Sequence, residues 1–250
     1  MNLGDSWIIA GKDLRYIRRR KTLLYTLVLL PLLLSLLFYL VLQYAASQFP
    51  GGTLTVADLT SVAGLLDAFS FWFVISAAII PASIASYSIV GEKVERSLEP
   101  LLSTPVSDGD ILLGKCIAAL LPTLLAAYAG AAIYMALIDS LTYGDLGILY
   151  YPNWEMGAIL LLLIPLTALM SIEMNVISSA RFTDVRAAQS FGSIIFLPFM
   201  VIYLAGEIGV IRLDTVTLLI MSAVFAALDV ALFFVSTRTF QREEILTKWK

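Results

Sequence analysis

The chain contains no histidine and only one cysteine, Cys116. Without histidine, a Ser-His-Asp triad, a His-ligated zinc site and the HExxH motif of metalloproteases are all excluded. A single cysteine cannot form a disulfide within the chain. Charged residues are also scarce, at 14% of 250 residues, whereas a soluble domain carries about a quarter. We therefore expect no catalytic residue and no metal site, and the composition is not that of a soluble protein.

Apolar residues dominate the chain, at 60% of all residues with a mean hydropathy of +0.90. A helix needs about 20 apolar residues to cross a bilayer. Six runs qualify, at residues 22–44, 68–90, 111–138, 156–178, 187–205 and 215–236. The sequence thus predicts an all-α polytopic membrane protein with six transmembrane helices, in one domain that spans 1–250. Pro198 and Gly206 leave open whether the fifth span is broken or re-entrant, and the aromatic run 69–73 is typical of a membrane-interface belt.

The basic residues give the orientation of these spans. All Lys and Arg residues except Arg212 lie in the N-terminal segment, the connections between spans 2 and 3 and between spans 4 and 5, or the tail at 237–250. Cytoplasmic segments carry the excess of Lys and Arg in membrane proteins. We therefore expect both termini in the cytoplasm, which requires an even number of spans.

Residues 5–20, DSWIIAGKDLRYIRRR, have the pattern of an interfacial helix. Trp7, Ala10, Leu14 and Ile17 recur at helical spacing, and basic residues occupy much of the remainder. We predict an elbow helix that lies along the inner leaflet before the first span. Two interpretations of its charge stay open, a topology signal alone or a contact with a cytoplasmic partner.

The octamer GDILLGKC, at 109–116, resembles a phosphate-binding loop. Gly109, Gly114 and Lys115 fit the pattern, but Cys116 stands where a Ser or Thr must bind Mg²⁺. The residues before it are turn formers instead of a strand, so an ATPase site is rejected. Ser107 and Asp110 instead predict a capping box that begins the third membrane helix, with Lys115 reaching the lipid headgroups.

The connection between spans 2 and 3 holds the densest charge in the chain. Glu92 and Arg96 are spaced to pair on a helix, and an apolar stripe accompanies them at Val94, Leu98, Leu101 and Leu102. The pattern predicts a short amphipathic helix displayed to the cytoplasm. The alternative is a solvated loop that lies on the membrane.

The run GEKVERSLEPLLSTPVSDGDILLGK, at 91–115, resembles the cytoplasmic loop of ABC-2 type transporter permeases. In that family a Gly-Glu-x-x-x-x-Ser/Thr-Leu-Glu-x-Leu-Leu-x-x-Pro motif recurs between the second and third spans. The positions that match here are Gly91, Glu92, Ser97, Leu98, Glu99, Leu101, Leu102 and Pro105. The six spans, the basic elbow and the tail FQREEIL agree as well, so the resemblance covers the whole chain.

The resemblance implies a type V-like fold in the plasma membrane and the membrane subunit of an ABC exporter. Two such subunits would pair, as a homodimer, and bind two copies of an ABC ATPase that holds ATP and Mg²⁺, while this chain binds no cofactor and no nucleic acid. The segment 91–110 would supply the coupling helix, which the resemblance assigns to the motif residues together with Lys93, Glu95 and Arg96. The family exports lipids, polymers, drugs or ions, and the loop does not select among them.

Two acids lie inside predicted spans, Glu173 and Asp229. Because a charge in the bilayer core is costly, both are candidates for a translocation pathway, although structural contacts between helices would also explain them. Thr167, Ser171 and Asn175 form a polar face on the fourth helix, which meets another helix or a cavity. The alternative function is a secondary transporter that couples ions through Asp229 and Glu173.

Overall fold

The computed structural model describes residues 3–48, 55–94, 106–182 and 184–239, and all regular structure within them is helical. A π-helical turn, Ile159–Leu163, joins α5 to α6, and a 3₁₀ turn, Ser193–Ile195, joins α7 to α8. The α-helices are α1 Leu3–Arg19, α2 Lys21–Ser47, α3 Val56–Val94, α4 Asp108–Leu146, α5 Trp154–Ala158, α6 Ile164–Arg181, α7 Val185–Gly192, α8 Phe196–Glu207 and α9 Thr215–Thr239.

Six helical segments are long and apolar enough to cross a membrane, which confirms the predicted fold class. They are Lys21–Ser47, Val62–Glu92, Gly109–Leu146, Trp154–Ser179, Arg186–Gly206 and Thr215–Thr237. With six crossings, α1 and the C-terminal end of α9 lie at one end of the bundle. We call this the basic end, because it carries the Lys and Arg residues of α1 and of the connection between α3 and α4. We call the other end of the bundle the opposite end.

The third span is longer than the predicted 111–138, since α4 continues to Leu146. Its start confirms the predicted cap at Ser107. The backbone N–H of Asp110 donates to Ser107 Oγ over 3.2 Å, which satisfies one of the free donors of the first turn. Its other end is closed by Gly147, whose φ of 69° is a left-handed conformation that glycine adopts without strain.

Helix α3 forms the centre of the bundle, where it packs against α4, α6 and α8. About 81% of its apolar window is buried, against 22% in α2 and in α9, so those two helices present broad apolar faces at the surface of the bundle. The prediction that the run 69–73 forms an interface belt is wrong. Phe71 and Phe73 are fully buried, and Phe69 stacks on Phe38 with ring centroids 4.3 Å apart. Burial of these rings against neighbouring helices outweighs their affinity for the headgroup region.

Small residues let α2 and α4 approach closely. A Cβ at Gly130 would collide with Pro31 and lie 3.2 Å from the ring of Phe73. Ser35 Oγ donates to the Gly130 carbonyl over 2.8 Å, which adds a direct bond between the helices. The contact is therefore one of backbones and not of long side chains.

Prolines interrupt the hydrogen-bond ladders of the spans, and neighbouring groups compensate. Pro165 has no N–H to donate, and just before it the ladder shifts, with the N–H of Ile164 bonded to the carbonyl of Ile159. Tyr128 Oη donates to the carbonyl of Leu160 within this π-helical turn, over 3.0 Å. The fifth span is broken, by the 3₁₀ turn that immediately precedes α8 and its Pro198.

Candidate functional site

Helix α1 lies against the start of α4, and one glycine permits this contact. A Cβ at Gly114 would lie 2.7 Å from the carbonyl oxygen of Ser6 and 2.9 Å from Cβ of Ile9, closer than packed atoms allow. Gly114, one of the residues that make GDILLGKC resemble a phosphate-binding loop, is thus the position at which α4 contacts the elbow helix α1. Of the predicted apolar face, Ala10 and Ile17 are buried, whereas Trp7 is 61% exposed.

The sequence suggested that Lys115 reaches the lipid headgroups. That prediction is wrong, because Lys115 is buried between two carboxylates. Its Nζ donates to Glu92 Oε2 over 2.7 Å and lies 3.5 Å from Asp13 Oδ2. Only 3% of Lys115 is exposed. A buried ammonium needs such partners, since desolvation of an unpaired charge costs several kcal/mol.

Lys12 completes the cluster from the solvent side. Its Nζ donates to Glu92 Oε1 and lies 3.7 Å from Asp13 Oδ1. Burial alone would lower the pKa of Lys12, but the hydrogen bond to Glu92 and the attraction of both carboxylates raise it above its ordinary value. Two cations and two anions therefore face one another with no net charge, in what we call the junction cluster: Lys12, Asp13, Glu92 and Lys115.

The junction cluster ties together three helices around the connection that resembles a coupling loop. Glu92 lies in the last turn of α3, Lys115 lies in the second turn of α4, and α1 supplies the other two members. Gly91, Glu92 and Lys93 are therefore part of α3, although the side chain of Lys93 lies outside the described residues. The rest of the predicted coupling set also lies outside them: Glu95, Arg96, Ser97, Leu98, Glu99, Leu101, Leu102 and Pro105.

The polar face of the fourth span meets other helices and is satisfied by hydrogen bonds. Ser171 Oγ donates to the Ala78 carbonyl of α3 over 2.5 Å. Ser86 Oγ donates to Asn175 Oδ1 over 2.9 Å, and Asn175 Nδ2 donates to the Ser171 carbonyl. Thr167 bonds within its own helix, to the Leu163 carbonyl. These residues hold α6 against α3, which is the helix-contact alternative for this face.

Glu173 and Asp229 differ from that face because their carboxyl oxygens are not satisfied. They come from α6 and α9, which pack against each other, and are 6% and 8% exposed. Glu173 Oε2 and both oxygens of Asp229 have no hydrogen-bond partner among the described residues. The two predicted acids thus lie buried on two helices that pack against each other.

A polar network at the opposite end was not predicted. Ser70 Oγ and Tyr151 Oη lie 2.7 Å apart, and Tyr151 Oη donates to Tyr134 Oη over 3.4 Å. Asp139 Oδ1 accepts from the N–H groups of Tyr150 and Tyr151, over 2.9 and 2.8 Å, which anchors the loop after α4. Burial raises the pKa of Tyr151 well above its ordinary value, so its hydroxyl stays protonated. No spacing in the sequence links these residues, since the chain brings them together from three separate segments.

A cavity of about 410 Å³ opens at the same end of the bundle. Its lining includes the charged residues Asp67, Glu155, Arg212 and Asp214. Asp67 accepts a hydrogen bond from Tyr150 over 3.1 Å, and Glu155 accepts one from Thr215 over 2.8 Å. Those two carboxylates therefore fasten α3 and α5 to their neighbours.

The comparison with known proteins agrees with this architecture. The family model for ABC-2 family transporter proteins matches residues 7–220, which run from α1 into α9. No curated protein matches the chain. The match includes the elbow, the junction cluster and the polar face of the fourth span. Because it covers most of the chain, this multi-pass membrane protein belongs to the ABC-2 family of transporter proteins, whose members are the permease subunits of ABC transporters and normally work with an ABC ATPase.

Proposed function

We propose that this permease exports its substrate with work from ATP hydrolysis, received through residues 91–110. The ATPase is a separate chain present in two copies, which hold the ATP and Mg²⁺, and two copies of this chain form the membrane channel. The observation that carries the proposal is the junction cluster. It joins the end of α3 and the start of α4, which flank the 95–105 connection, to the elbow helix α1.

The mechanism follows from how that connection is anchored. A displacement of residues 95–105 acts on the end of α3 and on the start of α4, which Glu92 and Lys115 hold together over 2.7 Å. Helix α1 moves with them, because Asp13 and Lys12 share the cluster and Gly114 seats α1 against α4. Since α3 is the most buried span, a tilt of α3 also moves the helices that pack around it, in a rigid-body transition.

A second candidate function rests on a different observation, the unsatisfied carboxyl oxygens of Glu173 and Asp229. A secondary transporter would use them to bind a coupling ion. It would then transport its substrate in vesicles without ATP and without any ATPase, and Asp229→Asn would abolish that transport.

The test is co-purification of the full chain with an ABC ATPase from native membranes. Glu99→Lys, or a Gly-Ser sequence of equal length in place of 95–103, should release the ATPase. Arg186→Gln is the matched control, because this exposed charge lies in the other connection at the basic end. Retention of the ATPase by both loop variants would show that the coupling segment is elsewhere, and ATP-independent transport would favour the second candidate.

A further inference from the structure

A cationic depression lies on α1 and shares one residue, Lys12, with the junction cluster. It has a volume of about 340 Å³ and is lined by Lys12, Arg15, Tyr16 and Arg19. These positions follow the i, i+3, i+4, i+7 spacing, so they share one face of the helix. No acidic residue is among the described residues that line it. Lys12 is paired with Glu92 and Asp13, so the positive potential of the depression comes mainly from Arg15 and Arg19.

The side chains of the depression are held by specific contacts. The Arg20 guanidinium lies 4.8 Å from the centre of the Tyr16 ring and donates to Tyr16 Oη over 2.5 Å. Arg15 Nε donates to the Gly11 carbonyl over 3.1 Å, and Lys12 is bound to Glu92. A Cβ at Gly91 would lie 3.9 Å from Tyr16 Oη, so the end of α3 forms the neighbouring wall. The depression is therefore partly preorganised, unlike a row of free surface lysines.

We propose that this depression binds the phosphate group of an anionic phospholipid in the leaflet at the basic end. The guanidinium groups of Arg15 and Arg19 provide the paired donors that suit phosphate oxygens. A volume of about 340 Å³ falls within the range of small-ligand sites, about 300 to 1,000 Å³.

The position of α1 favours a lipid over a phosphate free in solution. The first span begins at Lys21, immediately after α1, so the helix lies at the membrane surface. Leu3 and Trp7, one turn apart, are 73% and 61% exposed. Exposed apolar residues beside a basic face are what an interfacial helix needs to insert among headgroups. The site does not depend on the proposed ATPase coupling, because its ligand binds from the membrane.

The test measures lipid binding by the full chain in nanodiscs. Thermal stability should rise when phosphatidylglycerol is mixed into phosphatidylcholine. Arg19→Gln should weaken phosphatidylglycerol binding at least about tenfold, the loss expected for one charge-assisted hydrogen bond. Arg18→Gln is the matched control, since it removes the same charge from the next residue of α1 but lies outside the depression. Arg19→Lys should retain most of the binding.

Two outcomes would overturn the proposal. An equal loss in Arg18→Gln and Arg19→Gln would mean general attraction of a basic helix to an anionic surface. Equal protection by inorganic phosphate in pure phosphatidylcholine would mean a site for a free anion. If Arg19→Gln does not fold, native mass spectrometry of the wild-type protein decides, because the proposal requires phosphatidylglycerol to be retained in preference to phosphatidylcholine.

Discussion

Lys115 Nζ lies 2.7 Å from Glu92 Oε2, and this ion pair joins the start of α4 to the end of α3. The two residues are 23 positions apart in the chain, on either side of the connection that resembles a coupling loop. Both are more than nine-tenths buried. The pair therefore belongs to the foundation of the loop and not to its exposed surface.

Lys115→Met should destabilise the protein by at most about 3–5 kcal/mol, the cost of breaking a buried ion pair, because Lys12 remains as a partner of Glu92 and Asp13. The thermal unfolding temperature of the purified chain in detergent measures this loss. The double variant Lys115→Met with Glu92→Gln should recover a large part of it, because it removes both charges. Simple addition of the two single losses would contradict direct pairing.

Gly192→Ala should destabilise the contact between α6 and α7. A Cβ at this position would collide with the Asn175 side chain, because it would lie 2.5 Å from Asn175 Cγ. Overpacking of this kind costs about 1–3 kcal/mol, which thermal unfolding will show. Gly64→Ala is the control, because a Cβ there has no neighbour within 4 Å. The loss at Gly192 should shrink in an Asn175→Ala background.

Gly130→Leu should separate α2 from α4. The new side chain would occupy the space that Pro31 and Phe73 fill, and it would break the Ser35 bond to the Gly130 carbonyl. Ala129→Leu is the matched control, since the neighbouring residue is exposed. Yield of folded protein and unfolding temperature should fall for the first variant alone. Similar behaviour of the two would mean that α2 and α4 do not meet at this glycine.

Asp229→Leu should stabilise the protein. Both Asp229 oxygens are buried without a hydrogen-bond partner in the described part of the chain, and an unsatisfied buried polar group costs about 1–3 kcal/mol. Asp214→Leu should have the opposite sign, because Asp214 Oδ1 accepts from the N–H of Thr217 at the start of the same helix. Unfolding temperatures measure both effects. A destabilised Asp229→Leu would reveal a partner for this carboxyl, and loss of transport in a stabilised one would place it in the pathway.

Sequence reasoning predicted the features that depend on local pattern. The six spans follow from apolar length, and the Ser107 cap follows from a spacing of three residues. In each case neighbouring residues in the chain carry the whole signal, so no tertiary information is required.

Features that depend on convergence of distant segments could not be predicted. The position of Lys115 near the start of a span is typical of a lysine that extends to the lipid headgroups. Its burial is favourable only because Asp13 and Glu92 lie close to it. Asp139 meets Tyr150 and Tyr151 because α4 extends past the expected end of its span. Glu173 and Asp229 were each conspicuous as intramembrane acids, but the sequence does not show that their helices, α6 and α9, pack against each other.

Helix α3 is one continuous element of 39 residues, about 58 Å long at 1.5 Å per residue. Towards one end it carries Ser70, which contacts Tyr151 of another segment, and at the other end it carries Glu92. Thermodynamic reciprocity then constrains the transporter. If the proposed ATPase also binds one tilt of this helix better than another, a substrate that prefers one tilt must change the affinity for the ATPase by the same factor as the ATPase changes the affinity for the substrate. A measurement of either affinity with and without the other ligand would therefore report on both faces of the membrane.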